Sequence, residues 1–179
     1  MSPLKEPEAA VVILHARLPE ESILLIRRAT NPRDPWSGHW SFPGGRRDPE
    51  DRDLLDTALR ELREECDIIL PREHLSATLP PSSAGRRVGR HIWVAPFGFR
   101  VEQRLPVTVD PSEAVEAMWA PVSVLADRAN HLHMPVPGLP PEMKWPAIPL
   151  NQVPLWGFTY RLICHWLGME PPAETESVA

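Results

Sequence analysis

The chain has 179 residues, 42% of them apolar and 24% charged, with a net charge of −5. This is ordinary globular usage, and the length suits one domain that buries its own core. No long basic run is present, which argues against a dedicated nucleic-acid binder. The two cysteines, Cys66 and Cys164, cannot make a disulfide framework and read as buried free thiols. No cationic leader precedes a long apolar run, and no stretch of ~18 apolar residues exists. A cytoplasmic protein with no membrane partner is therefore expected.

In chain order, residues 1–8 are polar and proline-punctuated and are expected to be a flexible N-terminus. Ala9 to Ala16 is a β-branched run and reads as a strand. Ser22 to Arg28 reads as a second, with Pro19-Glu20-Glu21 as the turn between them. Ala29 to Ser41 is a loop that carries Arg33, Trp36, Gly38 and Trp40. Arg28 and Arg33 are candidate phosphate contacts, because a planar guanidinium makes paired bonds to phosphate oxygens; the alternative is surface arginines. Phe42 to Gly45 is expected to end a strand and turn.

A helix then runs to Cys66, with Asp51 or Asp53 as its N-cap. Leu55, Ala58, Leu59, Leu62 and Cys66 recur at helical spacing and form the face that packs on a core. Glu61, Glu64 and Glu65 stand at i, i+3 and i+4 on a different face. Like charges this close call for compensation, either a bound proton or a cation. A hard dication held by carboxylates and backbone carbonyls is one solution, and such ions also bind substrate phosphates. A solvated acidic face with Arg60 and Arg63 as partners is the other reading.

Beyond the helix, Arg72 to Arg90 reads as loop, with a small, basic stretch from Ser82 to Arg90. His91 to Val101 is a strand, and Val107 to Val109 is short and extended. The stretch from Asp110 to Pro121 is a turn feeding a strand, and a short helix continues to Ala126. Residues 131–154 are rich in proline, and no buried regular element is expected there. His131 and His133 lack further ligands nearby, so no metal pair is assigned to them. Leu155 to Leu167 reads as the last helix, stopped by Gly168, and residues 169–179 as a flexible tail. The single domain is expected to span residues 9–168.

The run Phe42-Pro43-Gly44-Gly45, followed by Arg60-Glu61-Leu62-Arg63-Glu64-Glu65, resembles the Nudix box. That pattern is a Gly, five residues, a Glu, seven residues, then Arg-Glu-apolar-x-Glu-Glu-x-Gly-apolar. Gly45 falls on the first Gly, and Arg60 to Glu65 match the core without a gap. Asp51 stands where the first Glu would be, one extra residue lies before Arg60, and Asp67 replaces the late Gly. The extra residue resembles the coenzyme A diphosphatase-like branch. So do Arg28-Ala29, Arg33 and Gly38 before the glycines, and Trp156-Gly157-Phe158-Thr159 at the last helix. The step from Arg33 to Gly38 is one residue longer than that branch's motif.

The resemblance implies an α+β fold of Nudix type, an α/β/α sandwich with a mixed β-sheet between helices. It implies a diphosphatase that needs Mg²⁺ or Mn²⁺ and hydrolyses a nucleoside diphosphate linked to another moiety, here coenzyme A or acyl-CoA. The metal ligands it implies are the Gly45 carbonyl, Glu61, Glu64 and Glu65. Arg60 would orient the glutamates, and Gly44 would lie against substrate with Arg28 and Arg33. The catalytic set is Arg60, Glu61 and Glu64 with Glu113 or Glu116; spacing alone does not choose between the last two. The expected partner is a small nucleotide-diphosphate substrate, bound by a monomer or homodimer. Another branch, acting on ADP-ribose, a dinucleotide or a modified nucleotide, is the alternative, as is a non-catalytic nucleotide-sensing module.

Overall fold

The computed structural model describes residues 6–34, 36–85, 89 and 91–172, and the backbone of 176–177. Arg86, Arg87 and Arg90 of the expected basic loop, and residues 1–5 of the expected N-terminal end, lie outside the described residues.

Strand β1 (Ala9–Leu18) is the centre of the main sheet. It pairs in parallel with β7 (Ile92–Gln103), from Ala9 opposite Val94 to Leu18 opposite Gln103. Both faces of β1 are covered, so it reads as a continuous apolar run rather than an alternating one. β2 (Ser22–Arg28) pairs antiparallel with β1 near the hairpin turn. Further along it is flanked by β3 (Trp40–Ser41) and by β8 (Ala114–Pro121). β4 (Gly44–Arg46) lies antiparallel on the start of β1.

Alternation along β1 and β2 divides the core in two. Val12, Leu14, Leu24 and Ile26 pack under helix α1 (Leu54–Cys66), against Ala58, Leu62 and Cys66. Ile13, Ile23 and Leu25 pack on the other face with Trp40, Phe42, Leu155, Tyr160 and Ile163. That second face carries α3 (Gly157–Trp166) and a small sheet of β9 (Leu132–Met134), β10 (Met143–Leu150), β11 (Val153–Trp156) and β12 (Glu176–Ser177). The short α2 (Val122–Ala126) comes directly after β8. The result is the expected α+β architecture, a mixed sheet with helices on both faces. Among the described residues no helix is long and apolar enough to cross a membrane.

Three expectations are corrected. Residues 72–90 are not all loop: β5 (Leu75–Thr78) and β6 (Ser82–Ala84) both pair antiparallel with β7. Their mostly small side chains carry no hydrophobic alternation, so only the backbone ladder reveals them. The proline-rich stretch holds three strands, and β10 is largely buried. Pro149 lies beyond the last pair of β10 with β9, and Pro146 beyond its last pair with β11. Successive residues direct their N–H groups to opposite neighbours, so each missing donor can face the open side of the ladder. Finally, Leu155 and Trp156 belong to β11, and the last helix begins at Gly157 with φ 67°.

Candidate active site

Helix α1 is well defined at both ends. The Asp53 side chain accepts from the Asp56 N–H at 2.9 Å, capping the first turn. Asp67 takes the left-handed conformation, φ 55°, and its N–H bonds the Arg63 carbonyl at 2.9 Å. Asp can adopt this conformation, which is why the usual Gly is dispensable here.

The helix lies over β1 and β4, and the two glycines set how closely. A Cβ on Gly44 would run into the Ala10 carbonyl oxygen and Val11. A Cβ on Gly45 would take the place of the Glu61 carboxylate. The turn thus brings bare backbone against acidic side chains. The Gly44 N–H donates to Glu65 Oε2 at 2.8 Å.

Arg60 is the hub of the acidic face. Its Nε donates to Asp51 Oδ1 at 3.0 Å and its Nη2 to Asp51 Oδ2 at 3.0 Å. Nη1 donates to Glu61 Oε1 at 3.0 Å and to Glu64 Oε2 at 2.9 Å. Nη2 also reaches the Arg46 carbonyl at 3.0 Å. Asp51 is completed by the Thr57 hydroxyl at 2.8 Å and the Asp48 N–H at 2.9 Å. The guanidinium, with these donors, holds the Asp51 carboxyl down at about 2. The helix cap is therefore Asp53, and Asp51 is the acid that fixes Arg60. Thr57 is fully buried, and its signal in the sequence is a polar residue on the apolar face of the helix.

The three glutamates differ in environment. Glu64 is exposed, Glu61 is half-buried, and Glu65 is only 3% exposed. Helical spacing groups Glu65 with Glu61 and Glu64 away from the core stripe; the structure buries it beside the Gly44–Gly45 turn. Burial drives the Glu65 carboxyl up to about 8; the Gly44 N–H and Arg28 oppose the rise, and Glu61 and Glu113 add to it. Burial also raises Glu61, against the pull of Arg60 and with the push of Glu64 and Glu113.

Glu113 and Glu116 separate cleanly. The charge of Glu113 acts on both Glu61 and Glu65, and its carbonyl accepts from the Ala29 N–H at 2.9 Å. Glu116 is bonded instead to Arg27 Nε at 2.9 Å and to the Asn151 side-chain amide. Alternation along β2 puts Arg27 on the face opposite α1, with Ile23 and Leu25. Arg28 reaches the acidic side, where its charge acts on Glu65, and its Nε donates to Asp34 at 2.8 Å. Arg33 is exposed on the loop, where its backbone N–H donates to Asn31 Oδ1 at 3.0 Å. The structure thus gathers Gly44, Gly45, Arg60, Glu61, Glu64, Glu65, Arg28 and Glu113. It leaves Arg33 and Glu116 apart from them.

Among the described residues, no group of three or more His, Cys, Asp or Glu side chains is already arranged to hold a metal ion. Arg60 draws Glu61 and Glu64 toward itself. The donor chemistry nevertheless suits a hard dication: oxygen ligands only, a buried carboxylate among them, and bare backbone brought close by the glycines.

An uncharacterized Nudix hydrolase, NudL, of Yersinia enterocolitica is 40% identical over 90 residues, covering 49% of this chain and 46% of that protein. Its counterpart in Yersinia pestis is 41% identical over 90 residues. The chain thus spans less than half the length of the curated relatives it matches. The NUDIX domain of Shewanella oneidensis NrtR, solved with ADP ribose, has the same fold with a TM-score of 0.60 at 18% identity, over 94% of this chain and 92% of that one. A MutT/nudix family protein of Enterococcus faecalis is similar at TM-score 0.59 and 20% identity, over 91% and 61%. The NUDIX domain model matches residues 6–136, most of the chain, and the protein belongs to the NUDIX domain family.

Proposed function

We propose that the protein is a metal-dependent diphosphatase that hydrolyses a nucleoside diphosphate linked to another moiety, with coenzyme A or acyl-CoA as the substrate class. One observation carries the reaction type. Glu65 is buried beside Glu61 and Glu113, and the Gly44 N–H is its hydrogen-bond partner. A site that keeps a carboxylate in such a place is built to receive positive charge.

In this reading Glu61, Glu64, Glu65 and the Gly45 carbonyl hold Mg²⁺ or Mn²⁺. Such an ion would supply charge neutralisation for the diphosphate and would help to acidify the attacking water. Arg60, anchored by Asp51, sets the directions of Glu61 and Glu64. Arg28 offers its remaining N–H groups to a phosphoryl oxygen, with Asp34 fixing its stem. Glu113, exposed and with its charge acting on Glu61 and Glu65, accepts the proton of the attacking water in this reading. The assignment to coenzyme A rests on Arg28-Ala29, Arg33 and Gly38 ahead of the glycine turn and on Trp156 to Thr159 at the start of α3.

The test is turnover with Mg²⁺ of a panel containing coenzyme A, octanoyl-CoA, ADP-ribose, NADH and a diadenosine polyphosphate. Preference for the CoA compounds supports the reading. Preference for ADP-ribose or the dinucleotide moves the protein to another branch, and no turnover of any compound favours a sensing module. Glu64→Gln and Glu65→Gln are expected to abolish turnover in a folded protein; activity within a few-fold of wild type would remove the metal assignment.

A further inference from the structure

Glu116 shares no contact with the acidic face, yet its surroundings are built. It stands opposite Arg27 in the β2–β8 ladder, and the pair is joined at 2.9 Å. The Asn151 amide, at the tip of the β10–β11 hairpin, bonds its second oxygen. The Trp40 indole N–H holds the adjacent Leu150 carbonyl at 3.1 Å. Glu116 is therefore fixed from β2 and from the hairpin at once.

The ladder changes immediately beyond this point. Arg27 faces Glu116, but Arg28 faces Ala114, so Val115 is an extra residue in β8. Val115 is 49% exposed and has no partner in the ladder, while Ala114 is fully buried under α1. A bulge of this kind shortens the reach of its strand by one residue and re-aims the chain on its far side. Glu113 lies on that side, next to Ala114.

We infer that Glu116 is a positioning residue: with Arg27 and Asn151 it pins the frame of β8 at the bulge, and so sets Glu113 beside Glu61 and Glu65. The inference rests on the reading of Glu113 as the group that accepts the proton. Without the pin, β8 can straighten, with Val115 opposite Arg28. Glu113 then draws back by roughly one residue, ~3.3 Å. The native frame is also held by buried Ala114 and by the Ala29 N–H on the Glu113 carbonyl, so straightening must displace both, and the pin at Glu116 is the side-chain contact that opposes it. The carboxylate at 116 itself does no proton transfer here; it needs only to accept hydrogen bonds.

Two measurements decide it. The first is kinetic, with the best substrate of the panel. Glu116→Ala and Arg27→Ala are expected to lower kcat by about 100-fold, as misplacement of a reacting group by an ångström or more does, with KM little changed. Glu116→Gln keeps the bond from Arg27 Nε on its amide oxygen, and its NH2 can donate to the Asn151 side-chain oxygen once that amide turns over. It is expected to stay within about tenfold of wild type with an unaltered acid limb in its pH profile, since the base at 113 is intact. Glu116→Gln as inactive as Glu116→Ala, with the acid limb lost, would make Glu116 the base and overturn the inference. So would Glu116→Ala with wild-type kcat. The second measurement needs no turnover: cross-strand NMR contacts in Glu116→Ala should show Arg28 paired with Val115 in place of Ala114. Wild-type pairing there overturns the pin even if the panel yields no substrate, an outcome that would by itself count only against the diphosphatase reading.

Discussion

Asp51 and Arg60 meet through two parallel hydrogen bonds, each of 3.0 Å, and the same guanidinium then reaches Glu61 and Glu64. One acid thus anchors the base from which two other acids are directed. The fork geometry of the guanidinium makes this possible, because its N–H groups diverge in one plane.

Asp51→Asn should therefore loosen the helix start and the acidic face together. The pair is only partly shielded on the Arg60 side, so the loss is expected to be about 2 kcal/mol, below that of a fully buried pair. The native carboxyl titrates at about 2 against an ordinary 3.8. A depressed carboxyl contributes its full stability above the unfolded value and loses it as pH falls through the folded one. Urea midpoints of the wild type should drop between about pH 4 and pH 2 more steeply than those of Asp51→Asn. Equal slopes would mean that the pair does not stabilise the fold.

Glu65 has the opposite sign. Its folded carboxyl is raised from 4.5 to about 8 by burial. Between those values the folded state binds the proton more tightly than the unfolded one, so stability is highest below about pH 4.5 and falls as pH rises to 8. With divalent ions chelated, Glu65→Gln is expected to remove most of this decline. Added Mg²⁺ should restore wild-type stability at pH 8 and leave Glu65→Gln unmoved. A flat wild-type profile under chelation would show that the carboxylate is stabilised there without a cation.

The two glycines should part company on mutation. Gly44→Ala forces a Cβ against the backbone of Ala10 and Val11, which cannot yield without moving β1. A loss of at least about 3 kcal/mol is expected, read as a lower thermal midpoint. In Gly45→Ala the obstacle is the Glu61 side chain, which can swing away. That variant should fold nearly normally and lose at least about tenfold in kcat/KM. The reverse order would contradict the packing described.

Glu113→Gln offers a cleaner separation of stability from chemistry. The side chain is exposed, so stability should stay within about 0.5 kcal/mol of wild type. Turnover should fall by about 100-fold, and the acid limb of the pH profile should flatten. Unchanged turnover would return the choice of base to a glutamate of α1.

Much of this protein is readable from local patterns. The β-branched runs at Ala9 and Ser22, the 3.6-residue stripe from Leu55 to Cys66, and the acids at 61, 64 and 65 each depend on neighbours in the chain. Those neighbours define strand, helix and charge cluster without reference to the fold. The hairpin of β10 and β11 was not legible, because its prolines break the local rule and only the open sides of the ladders make room for them. The helical wheel leaves open whether Glu65 is solvated or holds a cation; the structure buries it beside Gly44, and burial raises its carboxyl. Spacing likewise left Glu113 and Glu116 equivalent; the extra residue at Val115 and the bond to Arg27 set them on different errands. Periodicity and charge spacing are properties of the chain alone, whereas burial and strand register belong to contacts between segments far apart in it. Local pattern defines the helix and its acids, while contacts between distant segments bury Glu65, tie Glu116 to Arg27 and bring the charge of Glu113 to bear on Glu61 and Glu65.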